Sequence, residues 1–280
     1  MLVAGSLLPG RTEPLKTLII DGQNNHDWKA TTPVMKQALE QTGLFAVEVA
    51  TAPGGNTPEL AAFKPDFAKY KVLVMNYNGA MWGDATREAF EKYMSGGGGM
   101  VVVHAADNSF GQWPAYLDMI AVGGWNGYTD KPGGYLRWKD GKQVLDGKTG
   151  TSGHHGAQHA FVLDTRAPTH PIMAGLPAAW MHAADELYDF MRGPGKNATI
   201  LATAFADPKH GGSGEQEAQL LVINYGKGRV FHTMIGHGPE AMKCVGFIVT
   251  LQRGTEWAAT GKVTQKVPAD FPKADAVSLR

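Results

Sequence analysis

A single cysteine, Cys244, stands in a chain of 280 residues. That scarcity excludes an internal disulfide and a Cys-rich zinc site, and it leaves the redox compartment open. Net charge is also missing, with Lys+Arg and Asp+Glu both at 26 and no basic block. Nucleic acid and anionic membrane are therefore not the expected partners. No apolar run is long enough to span a bilayer. The first residues, Met1 to Pro9, are mildly apolar but lack a basic region and an apolar stretch of signal-peptide length, so they could be a remnant left by trimming a leader. The expectation is a soluble protein of the cytoplasm or the periplasm.

Several catalytic signatures are absent as well. There is no HExxH, no Cys pair and no Gly-x-Ser-x-Gly elbow, so acyl-enzyme chemistry has no candidate residue. Gly96-Gly97-Gly98-Gly99 follows a helical stretch and precedes a strand, the reverse of a phosphate-binding loop. No nucleotide cofactor is expected, and the ligand should be small.

What is present is an ordinary globular composition, 43% hydrophobic and 19% charged, with 36 glycines and 7 tryptophans. This mixture suits a loop-rich site where rings line a pocket for a polar ligand. Thr17 to Ile20, Phe45 to Ala50, Lys71 to Asn76 and Met100 to Val103 read as strands, with helices over Val34 to Glu40 and Asp84 to Met94. That order predicts a doubly wound, mostly parallel sheet with helices on both faces. From Ser109 to Thr151 the pattern breaks into scattered aromatics, which reads as a long insertion over one sheet edge. Strands return at Ala160 to Leu163 and Thr199 to Ala204. A hairpin follows over Gln219 to Asn224 and Gly228 to Thr233, and a closing helix runs from about Glu240 to Trp257. The division expected is an extension over 1–16, one α/β domain over 17–262 and a surface tail over 263–280.

The densest polar stretch is Asp21-Gly22-Gln23-Asn24-Asn25-His26-Asp27-Trp28, between the first strand and the first helix. Such a turn lies at the carboxyl end of a strand, where α/β sheets bind ligands. The plainer reading is that Asn24, Asn25 and Asp27 satisfy backbone groups and that Thr32 caps a helix with Pro33 at its first position. His104, with Asp107 three residues on, follows another strand. His154, His155 and His159 surround Gly156, and His232 and His237 close the last strand. Strand ends at one sheet edge converge, so His26, His104 and His237 could share a pocket. Imidazole both exchanges protons near neutral pH and ligates zinc and similar ions. His170 and His210 read as structural. In Asp185-Glu186-Leu187-Tyr188, an extended backbone would turn Glu186 and Tyr188 to one face, either as sugar-binding or basic groups or as a solvated face. Cys244 reads as inert packing inside the closing helix.

Taken in order, these motifs resemble the trehalose-utilisation (ThuA-like) family. The matching features are Leu18 to Trp28, the glycine-rich approach to His104, and His170-Pro171-Ile172 with Gly175-Leu176-Pro177. Asp185 to Tyr188 and Gly226 to Thr233 with Gly236-His237 complete them. The resemblance implies a flavodoxin-like sheet similar to that of class I glutamine amidotransferases. In those a cysteine follows the central strand; here that position falls near His104, without a thiol, while His237 with Glu240 matches their later histidine and glutamate. Amidotransferase chemistry is thereby removed and the pocket kept.

The family resemblance further implies a carbohydrate ligand and sugar catabolism, including disaccharides oxidised to 3-keto sugars. A carbonyl at C3 acidifies its neighbours, so a base could drive isomerisation, epimerisation or elimination. On this reading His26 and His104, oriented by Asp27 or Asp107, supply base and electrophile, and Glu186 with His237 form the second acid/base group. Asn24, Asn25, His155 and Tyr188 bind the sugar, on whose ring Trp28, Trp113 and Trp125 stack. A divalent metal such as zinc has candidate ligands in His26, His104, His155 and His159. A non-catalytic sugar-binding protein and a histidine-site metallohydrolase remain as alternatives, and a homo-oligomer stays open.

Overall fold

A computed structural model describes residues 13–125, 128 and 133–280. It begins with β1 (Leu15–Asp21), α1 (Trp28–Glu40), β2 (Phe45–Thr51), α2 (Pro58–Ala61), β3 (Val72–Met75), α3 (Asp84–Ser95) and β4 (Gly99–Val103). Next come α4 (Pro114–Ile120), β5 (Gly134–Lys139), β6 (Lys142–Asp146), β7 (His154–His155), β8 (His159–Thr165), β9 (Ala179–Asp185), β10 (Tyr188–Asp189) and β11 (Arg192–Gly193). The chain closes with β12 (Ala198–Phe205), β13 (Gln216–Tyr225), β14 (Gly228–Thr233), α5 (Pro239–Met242) and α6 (Val245–Thr260).

The main sheet runs β2-β1-β3-β4-β14-β13-β12-β8-β9. Strands β2, β1, β3, β4 and β14 are mutually parallel. This is the doubly wound core that the strand and helix pattern predicts. Alternate residues feed two separate cores: Ile19, Val101 and Val103 pack with Met35 and Leu39 of α1 and Phe247 and Leu251 of α6. Leu18, Ile20, Met100 and Val102 pack on the other face with Phe90 and Met94 of α3 and Tyr116 of α4. Burial on both faces explains why these strands read as continuous apolar runs.

From β14 onward the sheet turns antiparallel through β13, β12, β8 and β9. The β13–β14 hairpin is as predicted: Gly226 takes φ +57 at the first turn position, as a tight II′-type turn requires.

Three local expectations are corrected. Helix α1 begins at Trp28, with Asp27 as its N-cap, its side chain accepting from the Ala30 N–H. Pro33 lies inside the helix, and Thr31 and Thr32 instead accept from the Asn76 amide at 3.0 and 2.9 Å. The closing helix is broken into α5 and α6, with Cys244 as the N-cap of the second. The aromatic-rich insertion carries regular structure: α4 packs under the sheet, and the β5–β6 hairpin extends β13 through Arg137, whose guanidinium bonds Glu217 at 2.9 and 2.7 Å. Finally, the C-terminal tail is a surface segment tied to the body. Phe271 stacks edge-on against Trp180, and the Gln265 carbonyl accepts from Arg253. Among the described residues, no helix is long and apolar enough to cross a membrane.

Candidate active site

The carboxyl ends of β1, β3, β4 and β14 point to one edge of the sheet, and the loop after β9 folds over it. After β4 the backbone turns sharply: His104 adopts φ +46, in the left-handed region that a non-glycine residue rarely occupies. Its Nδ1 lies 2.7 Å from the Met234 carbonyl, which can only accept, so Nδ1 carries the proton and Nε2 is left toward Glu186. His26 is set in the same way. The Asn24 amide nitrogen points at Asn76, which leaves Asn24 Oδ1 to accept from the His26 backbone at 2.9 Å and to face its Nδ1 at 3.2 Å.

The third imidazole, His237, is positioned by Asp185 at the end of β9. This fully buried carboxylate accepts from the N–H groups of Glu186, Gly236 and His237 at 2.8, 2.7 and 3.1 Å and pairs with His182 at 2.8 Å. Burial works against its charge, yet His182 and these donors hold Asp185 below the usual carboxylate range. His182 in turn is raised to about 9 by Asp185 in spite of its burial.

Glu186 is the centre on which everything converges. Its Oε2 lies 3.0 Å from His237 Nδ1, 3.3 Å from His104 Nε2 and 3.5 Å from His26 Nε2, and His155 Nε2 reaches Oε1 at 3.7 Å. Against the effect of burial, His104, His237 and His26 hold the Glu186 carboxyl far below its ordinary range. It is therefore held as an anion that takes up a proton poorly. Burial lowers His26, whereas Glu186 outweighs burial at His104 and raises it. The donor atoms of His26, His104, His237 and Glu186 lie within 4.8 Å of one another, and this set could hold a metal ion.

His26, His237 and Glu186, with His104 buried behind them, floor a cavity of about 600 Å³ whose walls include Asn25, Asn78, Asn108, Trp125, His155 and Tyr188. Tyr188 lies against His104 with ring centroids 4.1 Å apart, and Trp125 against Tyr188 at 4.8 Å. A groove of similar size near Phe67 and Tyr93 is lined by lysines, Asp66 and rings, with no histidine among its lining residues.

The expectations for His26, His104, Glu186, His237, Asn25, His155, Trp125 and Tyr188 thus meet in one place, and Asn24 stands behind His26. Others do not. Asp27 is spent on the helix cap, bonding Ala30. Asp107 is buried beneath the site and bonds His232 at 3.1 Å, so it orients neither His26 nor His104, and burial raises its pKa. Trp113 lies in the core, its Nε1 donating to Glu91 and its ring beside Tyr116 and Phe110. Trp28 starts α1 with the Lys29 ammonium over its ring, away from the pocket wall. His159 stacks on His210 at 3.9 Å, apart from the imidazole cluster. Glu240 pairs with Lys243 on the surface, so His237 has Glu186 as its carboxylate partner instead.

Three contributors escaped the sequence reading. Asn78 and Asn108 line the pocket, and their signal was asparagine just past the ends of β3 and β4. Asp185 looked like a solvated neighbour of Glu186, because nothing local shows that a β9 end meets the 236–237 backbone.

The comparisons concern the chain as a whole. A ThuA-like protein from Parabacteroides merdae is 48% identical, covers 95% of this chain and 98% of its own, and superposes with a TM-score of 0.93. Another from Bacteroides uniformis, 19% identical over 93% of this chain and 97% of its own, has a TM-score of 0.58 and shares the fold. A cytoplasmic protein of Salmonella typhimurium LT2, 13% identical over 86% of this chain and 98% of its own, has the fold at a TM-score of 0.51. The curated proteins give no match. With the profile of the family described as ThuA, trehalose utilisation, matching residues 16–258, the chain belongs to the ThuA family.

Proposed function

We propose that the protein is an enzyme of carbohydrate catabolism that moves a proton at the carbon next to the carbonyl of a keto sugar, with a 3-keto-disaccharide or related keto-glycoside as substrate. The observation that carries this is the convergence of His26, His104 and His237 on Glu186 at the floor of a pocket walled by amides and rings. The family's association with trehalose utilisation supports the substrate class.

Removing a proton next to a carbonyl develops negative charge on the carbonyl oxygen, and a positive pole fixed in a water-poor site is what stabilises it. In this reading the imidazole cluster is where that pole is held. The base is His155. Its Nδ1 donates to the Gly156 carbonyl at 2.9 Å, which leaves the Nε2 lone pair on the side of Glu186 and the cavity. Asn25, Asn78 and Asn108 offer hydrogen bonds to hydroxyls, and Trp125 and Tyr188 offer ring faces. Return of the proton to the same or the other neighbouring carbon gives epimerisation or isomerisation. Loss of the C1 substituent gives elimination.

Incubation with a 3-keto-disaccharide in deuterated water tests this. Deuterium should enter at C2 or C4, and His155→Gln should slow that exchange by roughly 10²- to 10⁴-fold, the usual worth of a positioned base, while binding persists. Binding without exchange in the unaltered protein would refute catalysis and favour a sugar-binding protein.

A further inference from the structure

Three imidazole nitrogens and a carboxylate oxygen meet in this site, and at least two of those nitrogens present lone pairs to the oxygen, an arrangement that is unstable without positive charge between them. His104 Nδ1 is committed to the Met234 carbonyl and His26 Nδ1 to Asn24 Oδ1, so in the neutral rings both Nε2 lone pairs face the ionised Glu186 carboxylate. Among the described residues, buried His104 Nε2 and His237 Nδ1 make no well-aligned hydrogen bond. Lone pair against lone pair at 3.3 and 3.5 Å is repulsive. Either several protons or one cation resolves it.

We propose that His26 Nε2, His104 Nε2, His237 Nδ1 and Glu186 Oε2 bind one divalent first-row transition ion, with a further coordination position facing the cavity.

The spacings agree. Ligands about 2.0–2.2 Å from an ion stand roughly 2.9 Å apart in an octahedron and about 3.4 Å apart in a tetrahedron. The carboxylate oxygen lies 3.0, 3.3 and 3.5 Å from the three nitrogens. Three imidazoles and one carboxylate without thiolate suit zinc, iron(II) or manganese, and they disfavour calcium and magnesium, which take oxygen ligands. The outer groups agree too. Metal-ligating histidines almost always donate their second nitrogen to an oxygen acceptor, which fixes the tautomer, and Met234 and Asn24 do this for His104 and His26. Bound there, the ion would polarise a carbonyl oxygen entering from the cavity. This deepens the keto-sugar reading by naming its positive pole, but the ion site itself stands on geometry alone.

Cobalt(II) is the probe, since its visible absorption reports a protein-held coordination sphere. Chelator-stripped protein should take up one equivalent of cobalt with an intense visible band, and plasma mass spectrometry should find the same stoichiometry after desalting. Glu186→Gln and His26→Gln should each weaken binding by about 100-fold or more. Asn24→Leu, which removes only the acceptor behind His26, should weaken it by about 10- to 100-fold. His159→Ala, outside the cluster, should bind as the unaltered protein does. Circular dichroism establishes that each variant is folded.

Absence of cobalt uptake by the stripped protein would overturn the site, as would unchanged affinity in both Glu186→Gln and His26→Gln. The two readings fail separately. Cobalt binding without deuterium exchange into the keto sugar sinks the chemistry and upholds the ion site, whereas exchange by protein that takes up no cobalt sinks the ion site alone.

Discussion

The buried carboxylate of Asp185 accepts the backbone N–H of His237 at 3.1 Å, and so joins the end of β9 to the loop after β14. The neighbouring residue, Glu186, then meets the His237 ring at 3.0 Å. Backbone and side chain of one histidine are thus held by two consecutive acids. Asp185→Ala would leave His182 as a buried group without its anion and free the Gly236 and His237 N–H groups. Breaking a buried pair in this way costs about 3–5 kcal/mol, and the expected loss can be read from the urea midpoint. An unchanged midpoint would mean that Asp185 does not organise the loop.

Of the three tryptophans that the sequence offers as rings stacking on substrate, Trp113 and Trp125 should separate cleanly. Trp113→Ala should lower stability by about 3–5 kcal/mol, the usual range for emptying a large core side chain, because its ring packs among Trp82, Phe110 and Tyr116. Trp125→Ala should leave the melting temperature nearly unchanged and weaken keto-disaccharide binding by roughly two- to tenfold, the worth of one aromatic contact. Calorimetric titration beside a melting curve distinguishes the two. The reverse pattern would move the sugar away from Trp125.

Helix α6 lies close on the sheet because two of its glycines permit it. A Cβ at Gly254 would stand 2.0 Å from the Phe231 ring, and one at Gly246 would stand 2.1 Å from Trp180. Both neighbours are fully buried and cannot swing away. Gly254→Ala should destabilise by about 1–3 kcal/mol through overpacking, although alanine is the better helix former by about 1 kcal/mol. Denaturant unfolding gives the sign: a stabilised variant would show that α6 can lift off the sheet without loss.

Burial lowers His170 from 6.5 to about 4. Its ring accepts from the Ile172 N–H at 3.3 Å and lies edge-on to Trp257, so the folded state favours the neutral form. The unfolded chain takes up a proton more readily, so the stability that His170 contributes is present above pH 6.5 and is lost as pH falls toward 4. His170→Asn can keep the acceptor without the titration. Its unfolding free energy should fall less steeply than that of the unaltered protein between those two values. Parallel slopes would assign the acid sensitivity to other groups.

The legibility of the fold followed the reach of each signal. Apolar runs over Leu18 to Ile20 and Val101 to Val103 report strands buried on both faces, a property of the segment itself. The helix start was misplaced because Thr32-Pro33 carries the local signature of a helix entry, whereas the structure uses Asp27 and sends Thr31 and Thr32 to Asn76, 44 to 45 residues away. Trp113, Trp28 and Asp107 were misread for a related reason. Their type suggested a pocket, and their neighbours across the fold made them core, cap-side and buried-pair residues.

By itself the sequence determined the strand and helix order, the doubly wound core, the family, and the strand-end histidines at 26, 104 and 237. Those are properties of local pattern and of motif order along the chain. Only the tertiary structure decided that Glu186 is their common centre, that Asp185 holds the loop presenting His237, and that His159, Asp27 and Asp107 stand outside. The four converging residues lie on loops after three parallel strands and one antiparallel strand, and the distances that make them one site are set by sheet order and loop packing, neither of which is written in local spacing.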